Sequence, residues 1–135
     1  MAARYFTAQE ANDLLPSVRP IVEAMVAHRR ALALASVRHA RIAAKIAGNG
    51  GGVDPHEIDR LQAAVEAEAG AVATAVEELQ QLGVQVKDLD DGLVDFPALR
   101  GEEEVLLCWR LGEEEVAYWH TVEGGFAGRR PLPLE

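Results

Sequence analysis

The sequence predicts an α+β fold in which a long antiparallel two-helix hairpin, preceded by a short helix, is followed by a small antiparallel β-meander. Apolar residues recur at steps of three and four through residues 7–82, a stretch without any aromatic side chain. Residues 83–135 instead alternate apolar and polar side chains between turn-forming residues, and they hold five of the seven aromatic residues. We expect a single domain, 1–135, with the helical hairpin at 7–82 and the meander and tail at 83–135.

The start of the first helix is marked by a capping box. Thr7 is followed three residues later by Glu10, which predicts a helix from about residue 8. Pro16 and Pro20 come soon after, and a proline inside a helix removes a backbone hydrogen bond and crowds the preceding turn. We therefore expect a short first helix with a break or kink near Leu15 and Pro16.

Two longer helices are then expected to form the hairpin. The first ends at the glycine-rich segment Gly48–Gly52, where the chain turns back. Asp54 supplies an N-cap and Pro55 a first-turn proline for the second helix. Basic residues dominate the far half of the first helix and acidic residues dominate the second, a charge complement that favours their pairing. We also expect His39 to hydrogen-bond Glu68 across the hairpin.

The first helix carries more apolar surface than one partner helix can cover. Beside its main seam runs a second apolar line through Val22, Val26, Ala33, Val37, Ala40 and Ala44. Because a two-helix hairpin buries a single stripe of each helix, this line requires cover from the C-terminal sheet or from a second copy of the chain. The second alternative predicts a homodimer assembled through the helical hairpin as a four-helix bundle.

The C-terminal part contains two hairpin patterns. The predicted strands are 84–88 and 93–96 in the first hairpin, and 104–111 and 115–122 in the second. Asp90-Asp91-Gly92 and Gly112-Glu113 supply the turns, and Pro97 is expected to end the strand that precedes it. Such short connections predict an antiparallel meander. The glutamates at 102–104 and 113–115 are interpreted as solvated turn residues.

The register of the second hairpin decides whether its reactive side chains meet. If Leu111 pairs with Glu115, side-chain alternation places Cys108 and His120 on one face of the sheet. That face would also carry Leu106, Arg110, Val116 and Tyr118, with Trp109 and Trp119 on the opposite face. A change of register by one residue would separate the cysteine from the histidine.

Two interpretations of this cysteine and histidine remain open. A cysteine beside a histidine can form a thiolate nucleophile, whereas a buried cysteine is more often an inert apolar residue. Asp95, flanked by Val94 and Phe96, needs a partner if it is buried, and His120 is one candidate. The candidate catalytic residues are therefore Cys108, His120 and Asp95. We expect no bound cofactor and assign no metal ligands.

A separate set of residues is a candidate binding surface. It consists of Trp109, Arg110, Tyr118, Trp119 and Arg129. The segment Gly124–Gly128, followed by Arg129 and Arg130, either brings backbone amides and guanidinium groups to an anion or forms a flexible tail. We expect this surface to dock a protein or a small anionic ligand.

Composition excludes several classes of partner. A net charge of −9 opposes both the phosphate neutralisation that sustains nucleic-acid binding and adsorption to anionic lipid. No apolar run reaches the roughly 18 residues of a membrane span, and the N-terminus has no export signal. A single cysteine allows no internal disulfide. We expect a cytoplasmic protein that binds neither nucleic acid nor membrane.

Specific motifs run along the C-terminal part of the chain. They are Gly83-Val, Lys87-Asp, Gly92-Leu-Val-Asp-Phe-Pro97, Leu107-Cys-Trp-Arg-Leu-Gly-Glu113, Tyr118-Trp-His120 and Gly125-Phe-Ala-Gly-Arg129, preceded by Phe6-Thr and Leu15-Pro16. With these motifs the chain resembles, over essentially its whole length, a bacterial family described as domain of unknown function 2203. The resemblance implies this helix-and-sheet architecture and assigns no activity.

Two functions of different classes remain. The preferred one is a non-enzymatic homo-oligomeric module for binding or assembly, because a broad apolar helix face accompanies no recognisable catalytic set. The alternative is a small enzyme that uses the pair Cys108 and His120, oriented by Asp95, or a metal site of histidine and carboxylate ligands on the sheet.

Overall fold

The chain folds as two antiparallel helices followed by a five-stranded antiparallel sheet, in agreement with the predicted class. The computed structural model describes residues 4–48 and 51–134. The helices are α1 (Ala8–Ala47) and α2 (Pro55–Gln81), and a 3-10 turn spans Phe126–Gly128. The strands are β1 (Gln85–Asp88), β2 (Leu93–Arg100), β3 (Glu103–Arg110), β4 (Tyr118–Thr121) and β5 (Arg130–Pro131), and they lie in the sheet in chain order as a meander.

The predicted short first helix and its break near Pro16 are wrong. α1 begins with the expected capping box, in which Thr7 Oγ1 accepts from the Glu10 amide at 3.1 Å and Glu10 Oε1 accepts from the Thr7 amide at 2.9 Å. The helix then continues without interruption through Pro16 and Pro20. Each proline removes one hydrogen bond, but the turns around them bury apolar side chains in the core, and this packing outweighs the local preference.

The two helices pair closely along their length. Asp54 caps α2 as expected, accepting from the His56 amide at 2.9 Å. The polar contact across the hairpin differs from the predicted one, because Glu68 bonds to His28 at 2.6 Å rather than to His39. The histidine that contacts Glu68 thus lies 11 residues earlier in α1 than the predicted one.

Pro97 does not end a strand, contrary to expectation. β2 runs on to Arg100 and pairs with β3 throughout, with Pro97 opposite Leu106. The Pro97 carbonyl accepts from the Phe6 amide at 2.7 Å, so the backbone polar groups of Pro97 point away from β3. On that side of β2 the neighbouring strand β1 does not reach Pro97, because β1 begins at Gln85, opposite Asp95. The missing N–H therefore removes no ladder hydrogen bond.

The second hairpin has the predicted register but a longer connection. Cys108 pairs with Tyr118 and Leu106 with His120, whereas residues 111–117 form a loop instead of a tight turn. Val116 leaves the face predicted for it and joins the helix-facing core. Its amide donates to Asn12 Oδ1 at 2.7 Å and its carbonyl accepts from Asn12 Nδ2 at 3.1 Å, so one side chain of α1 fixes the loop.

The helices cover one face of the sheet. That face presents Val94, Phe96, Ala98, Val105, Leu107, Trp109 and Trp119, all buried. The near half of α1 packs there, and its contribution to the core is Ala11, Leu15, Val18, Val22, Met25 and Val26. Val22 and Val26 belong to the second apolar line, so the sheet covers the first part of that line. Among the described residues, no helix combines the length and hydropathy that a membrane crossing requires.

The far half of the hairpin projects beyond the sheet as an arm, which we define as residues 27–47 of α1 and 55–71 of α2. At about 1.5 Å per residue the α1 part extends for roughly 30 Å. Ala35 is the single buried residue among the described residues of this arm. The arm therefore leaves most of its surface, including the rest of the second apolar line, in solvent.

Gly92 marks the closest approach of the first hairpin turn to α1, and we predict that it tolerates no side chain. Its φ is +71°, and an added Cβ would lie 2.9 Å from Leu111 Cβ and 2.9 Å from Val22 Cγ1. Gly101 is the matched control, because its φ is +64° and nothing lies within 4 Å of an added Cβ. Both alanine variants lose about 1–2 kcal/mol to the left-handed backbone, and Gly92→Ala loses about 1–3 kcal/mol more to overpacking.

Chemical denaturation of both variants measures this difference. Equal losses of unfolding free energy for Gly92→Ala and Gly101→Ala would contradict the close packing of the turn against α1.

Candidate functional site

Three polar or reactive side chains meet on the face of the sheet that points away from the helices. Asp95 lies on β2, Cys108 is its direct partner on β3, and His120 lies on β4 one diagonal step from Cys108. Each strand alternates its side chains between the two faces, and the three positions share one face only in this register. The structure therefore brings together all three candidate catalytic residues, which we call the Asp–Cys–His cluster.

The Asp–Cys–His cluster is buried and internally bonded. Asp95, Cys108 and His120 are 1%, 0% and 4% exposed. The two carboxylate oxygens of Asp95 each lie 3.1 Å from His120 Nε2. The Cys108 thiol faces the same carboxyl group, and one ligand atom from each of the three side chains lies within 4.8 Å of the other two. A buried carboxyl group requires such partners, so the predicted pairing of Asp95 with His120 is observed.

A backbone carbonyl fixes the protonation of the imidazole ring. His120 Nδ1 lies 2.8 Å from the carbonyl oxygen of Thr121. Since a carbonyl oxygen only accepts hydrogen bonds, Nδ1 carries a proton. Nε2 then either donates to an ionised Asp95 or accepts from a protonated one, and both states hold one proton between the two groups. In both states the bond from Nδ1 to the Thr121 carbonyl holds the imidazole ring with Nε2 facing Asp95.

Burial controls the acidity of Asp95. Loss of water raises the pKa of the Asp95 carboxyl above its usual range, while the His120 imidazole and the more distant Lys87 ammonium oppose this rise. The cost of burying Asp95 is thus offset mainly by one close partner, His120. In such a buried pair, removal of one partner leaves the other without compensation.

The thiol is held in its neutral form. Burial is the main cause that raises the pKa of the Cys108 thiol to about 12, and the neighbouring Asp95 carboxylate adds to the rise. The Arg129 guanidinium acts in the opposite direction and is outweighed. Activated cysteine nucleophiles have a lowered pKa, so the resting Cys108 is an inert thiol rather than a thiolate.

Arg129 and Glu113 form a polar structure beside the cluster. Arg129 Nη2 donates to Glu113 Oε1 at 2.9 Å, and its guanidinium group stacks over Tyr118 at 4.0 Å and over Phe126 at 4.6 Å. Glu113 Oε1 also accepts from the Arg110 amide at 2.7 Å. The tail that carries Arg129 is thus folded back onto the sheet, and the charge expected to meet an anion already has a carboxylate partner.

The interpretation of Glu113 as a solvated turn residue is wrong. Its side chain is only 25% exposed, and its backbone carbonyl accepts from the Trp109 indole at 3.0 Å. Two donors from the end of β3 and one from the C-terminal tail therefore converge on this one residue. Glu114 and Glu115 are exposed, as expected for the rest of the run.

The two tryptophans lie opposite the cluster, as the register predicts, and they are core residues. Trp109 is 0% and Trp119 3% exposed, so neither offers a surface to a docked partner. Arg19 lies over Trp109 at 5.7 Å, and Arg130 lies over Trp119 at 5.5 Å. Of the predicted binding surface, Arg110 is exposed and Tyr118 and Arg129 are partly exposed.

Sequence reasoning missed two residues that shape the site. Thr121 acts through its backbone carbonyl, which has no side-chain signature in a sequence. The role of Glu113 had a signal in the sequence. Glu113 follows Gly112 in the predicted turn, so its polar groups can fold back onto Trp109 and Arg110 at the end of the preceding strand. The bonds of Glu113 to Trp109 and Arg110 follow from that local return.

Fold and site together define a class of small α+β proteins in which a helical arm is joined to a meander carrying a buried aspartate, cysteine and histidine. The chain matches the model of the family described as "Uncharacterized conserved protein (DUF2203)" over residues 4–132. It therefore belongs to this family, and the resemblance found in the sequence is confirmed. The curated proteins and the solved structures contain no match to the chain.

We predict that Cys108 is unreactive in the folded protein. With a pKa of about 12, its thiolate population at pH 8 is on the order of 1,000-fold below that of an ordinary cysteine. Alkylation by iodoacetamide, followed by mass spectrometry, is expected to be slow before denaturation and rapid in guanidinium. Rapid modification of the native protein near pH 6 would show an activated thiolate and contradict this description of the cluster.

Proposed function

We propose that this protein is a non-enzymatic homodimer that serves as a binding or assembly module, with the helical arm as the dimer interface. The observation that carries the proposal is the uncovered apolar side of the arm. The sheet covers the second apolar line of α1 only as far as Val26, and beyond that point no described residue of the same chain covers it.

Large apolar side chains stand in solvent along the arm. Leu34 is 68% exposed and Val37, one turn further along α1, is 51% exposed, and Ala33, Ala40 and Ala44 of the second apolar line are exposed beside them. Single exposed apolar residues are ordinary on a protein surface, but a continuous line at helical spacing is typical of an interface. Helices in a four-helix bundle bury such a second line against a neighbouring pair.

Charge complementarity supports a second copy of this chain as the occupant. Among the described residues, Arg30, Arg38, Arg41 and Lys45 of α1 form no ion pair. The same is true of Glu57, Asp59 and Glu66 of α2 within the described part of the chain. A two-fold arrangement that packs α1 of each copy against α2 of the other brings these unused basic and acidic groups together.

The charge pattern also limits the alternatives. Two α1 helices packed directly on each other would oppose basic residues without any acid, because residues 24–53 contain none. A small anionic ligand at Arg129 would share the guanidinium group with Glu113, which already accepts from it at 2.9 Å. The free cysteine fits a reducing compartment such as the cytoplasm, and the proposal includes that location.

The second candidate function is a small enzyme built on the Asp–Cys–His cluster. The convergence of Asp95, Cys108 and His120 on one face favours it, because a nucleophile, a base and an orienting group need this proximity. The raised pKa of Cys108 opposes it, and so does the burial of all three side chains. We therefore place the enzyme second to the assembly module.

We predict that the wild-type protein is a dimer at tens of micromolar and that Leu34→Glu combined with Val37→Glu shifts it to monomer. Burying a leucine or valine side chain contributes about 1.5–3 kcal/mol, so losing both weakens the dimer at least about tenfold in Kd. Light scattering and sedimentation velocity measure the shift. The double variant is expected to stay folded, because both side chains are exposed within one chain.

Val122→Glu is the matched control for this experiment. Val122 is 55% exposed but lies after β4, outside the arm, so the charge is expected to leave the dimer intact. A wild-type protein that stays monomeric at these concentrations would refute the proposal. Equal weakening by the arm and control variants would place the interface elsewhere.

A further inference from the structure

We propose that the Asp–Cys–His cluster is a binding site for a divalent transition-metal ion of the zinc class, held by Asp95, Cys108 and His120. One ligand atom from each side chain, a carboxylate oxygen, Sγ and an imidazole nitrogen, lies within 4.8 Å of the other two. Within the described residues this is the one group of three or more such side chains that meets so closely. The proposal goes beyond the assembly function and does not depend on it.

The spacing of the Asp95 and His120 ligand atoms is close to that of a tetrahedral site. Ligand bonds of about 2.0 Å to nitrogen and oxygen and about 2.3 Å to sulfur place neighbouring ligand atoms roughly 3.3–3.6 Å apart. The observed separation of His120 Nε2 from each Asp95 oxygen is 3.1 Å. Small rotations of the side chains, without movement of the strands, are enough to admit an ion between the three groups.

The imidazole is already oriented as a ligand. Metal-binding histidines donate their second ring N–H to a carbonyl or carboxylate, which fixes the ring and its tautomer. His120 Nδ1 makes such a bond to the Thr121 carbonyl at 2.8 Å, leaving Nε2 directed at Asp95. This support is independent of the proximity of the three side chains, since it arises from the backbone beyond His120.

The donor set selects the class of ion. A thiolate and an imidazole favour zinc and related transition metals, whereas magnesium and calcium prefer sites made of oxygen ligands. One proton is shared by Asp95 and His120 and another lies on Cys108 Sγ, and binding of Zn²⁺ releases both. The ion, one carboxylate, one thiolate and a neutral imidazole then sum to zero charge in a buried place.

The strands supply a rigid frame for three protein ligands. Asp95, Cys108 and His120 lie on three hydrogen-bonded neighbours, β2, β3 and β4, so their backbone positions are fixed by the sheet. Three protein ligands occupy three corners of a tetrahedron, and a water molecule or an incoming ligand takes the fourth.

Cobalt binding to the wild-type protein tests the proposal directly. Co²⁺ substitutes for zinc and gives visible d–d bands and a near-ultraviolet charge-transfer band when a thiolate binds it. Because the sequence contains a single cysteine, such a band can only report Cys108. Protein without a histidine tag, stripped with a chelator, is expected to bind one Co²⁺ per chain with this band, and Zn²⁺ is expected to abolish it.

Variants assign the ligands. Cys108→Ser is expected to lose the charge-transfer band, and both it and His120→Gln are expected to bind Co²⁺ at least about 100-fold more weakly. His39→Gln is the control, since His39 lies on the arm, away from the cluster, and its binding should match the wild type. Circular dichroism shows whether each variant keeps its fold, and the wild-type titration stands even where one does not.

Two results would overturn the proposal. One is a wild-type protein that develops no thiolate band with excess Co²⁺ and contains no metal by elemental analysis after purification. The other is undiminished Co²⁺ binding by a folded Cys108→Ser variant. Either result would leave the cluster as a structural hydrogen-bonded group, and neither bears on whether the arm dimerises.

Discussion

The alternation of side chains along β2, β3 and β4 is the constraint on which the rest of this structure depends. One face of these strands is apolar and receives the helices, with Phe96, Leu107 and Trp109 fully buried. The residues between them, Asp95 and Cys108, must then point to the opposite face. A slip of one residue would place a carboxyl group beneath the helices and an indole outside, so the apolar core fixes the register that assembles the cluster.

This coupling of core and cluster has an electrostatic consequence. A carboxyl group that the register forces into a buried position requires a donor, and β4 supplies His120 from the same face. The carbonyl of Thr121 then sets the direction of that histidine. These two contacts, from His120 to Asp95 and to the Thr121 carbonyl, hold the ligands of the proposed metal site in place before an ion binds, because a metal ion replaces two protons without any change in the frame.

The sequence predicted the parts of this protein that local pattern determines. Apolar periodicity gave the two helices, the Thr7 capping box gave the start of α1, and strand alternation gave the meander and the shared face of Cys108 and His120. Errors arose where a distant contact outweighed a local preference. Core packing carries α1 through Pro16, and Pro97 is tolerated in β2 because its backbone polar groups point away from β3 and its carbonyl accepts from the Phe6 amide.

The candidate site was predictable to the same extent. Asp95, Cys108 and His120 were identified from chemistry and register, but the contributions of Thr121 and Glu113 were not. A backbone carbonyl has no residue-type signal, and the bonds of Glu113 to Arg129 depend on how the tail folds back. The burial of Trp109 and Trp119 likewise depends on which face the helices select, a choice that aromatic content alone does not reveal.

The division of α1 into two halves is the physical basis of the proposed dimer. The near half is stabilised by the sheet. The arm reaches the first hairpin turn of the sheet through Arg29, whose Nε donates to Asp90 Oδ1 at 3.1 Å, and Ala35 is the one buried residue among those described there. Most helical stability in proteins comes from tertiary packing of an apolar face, and a lone pair of helices offers little of it. Exposed Leu34 and Val37 on a stretch of α1 that carries no acid favour a partner that is apolar and acidic. The α2 helix of a second copy has both properties, so the missing stabilisation is available from the chain itself.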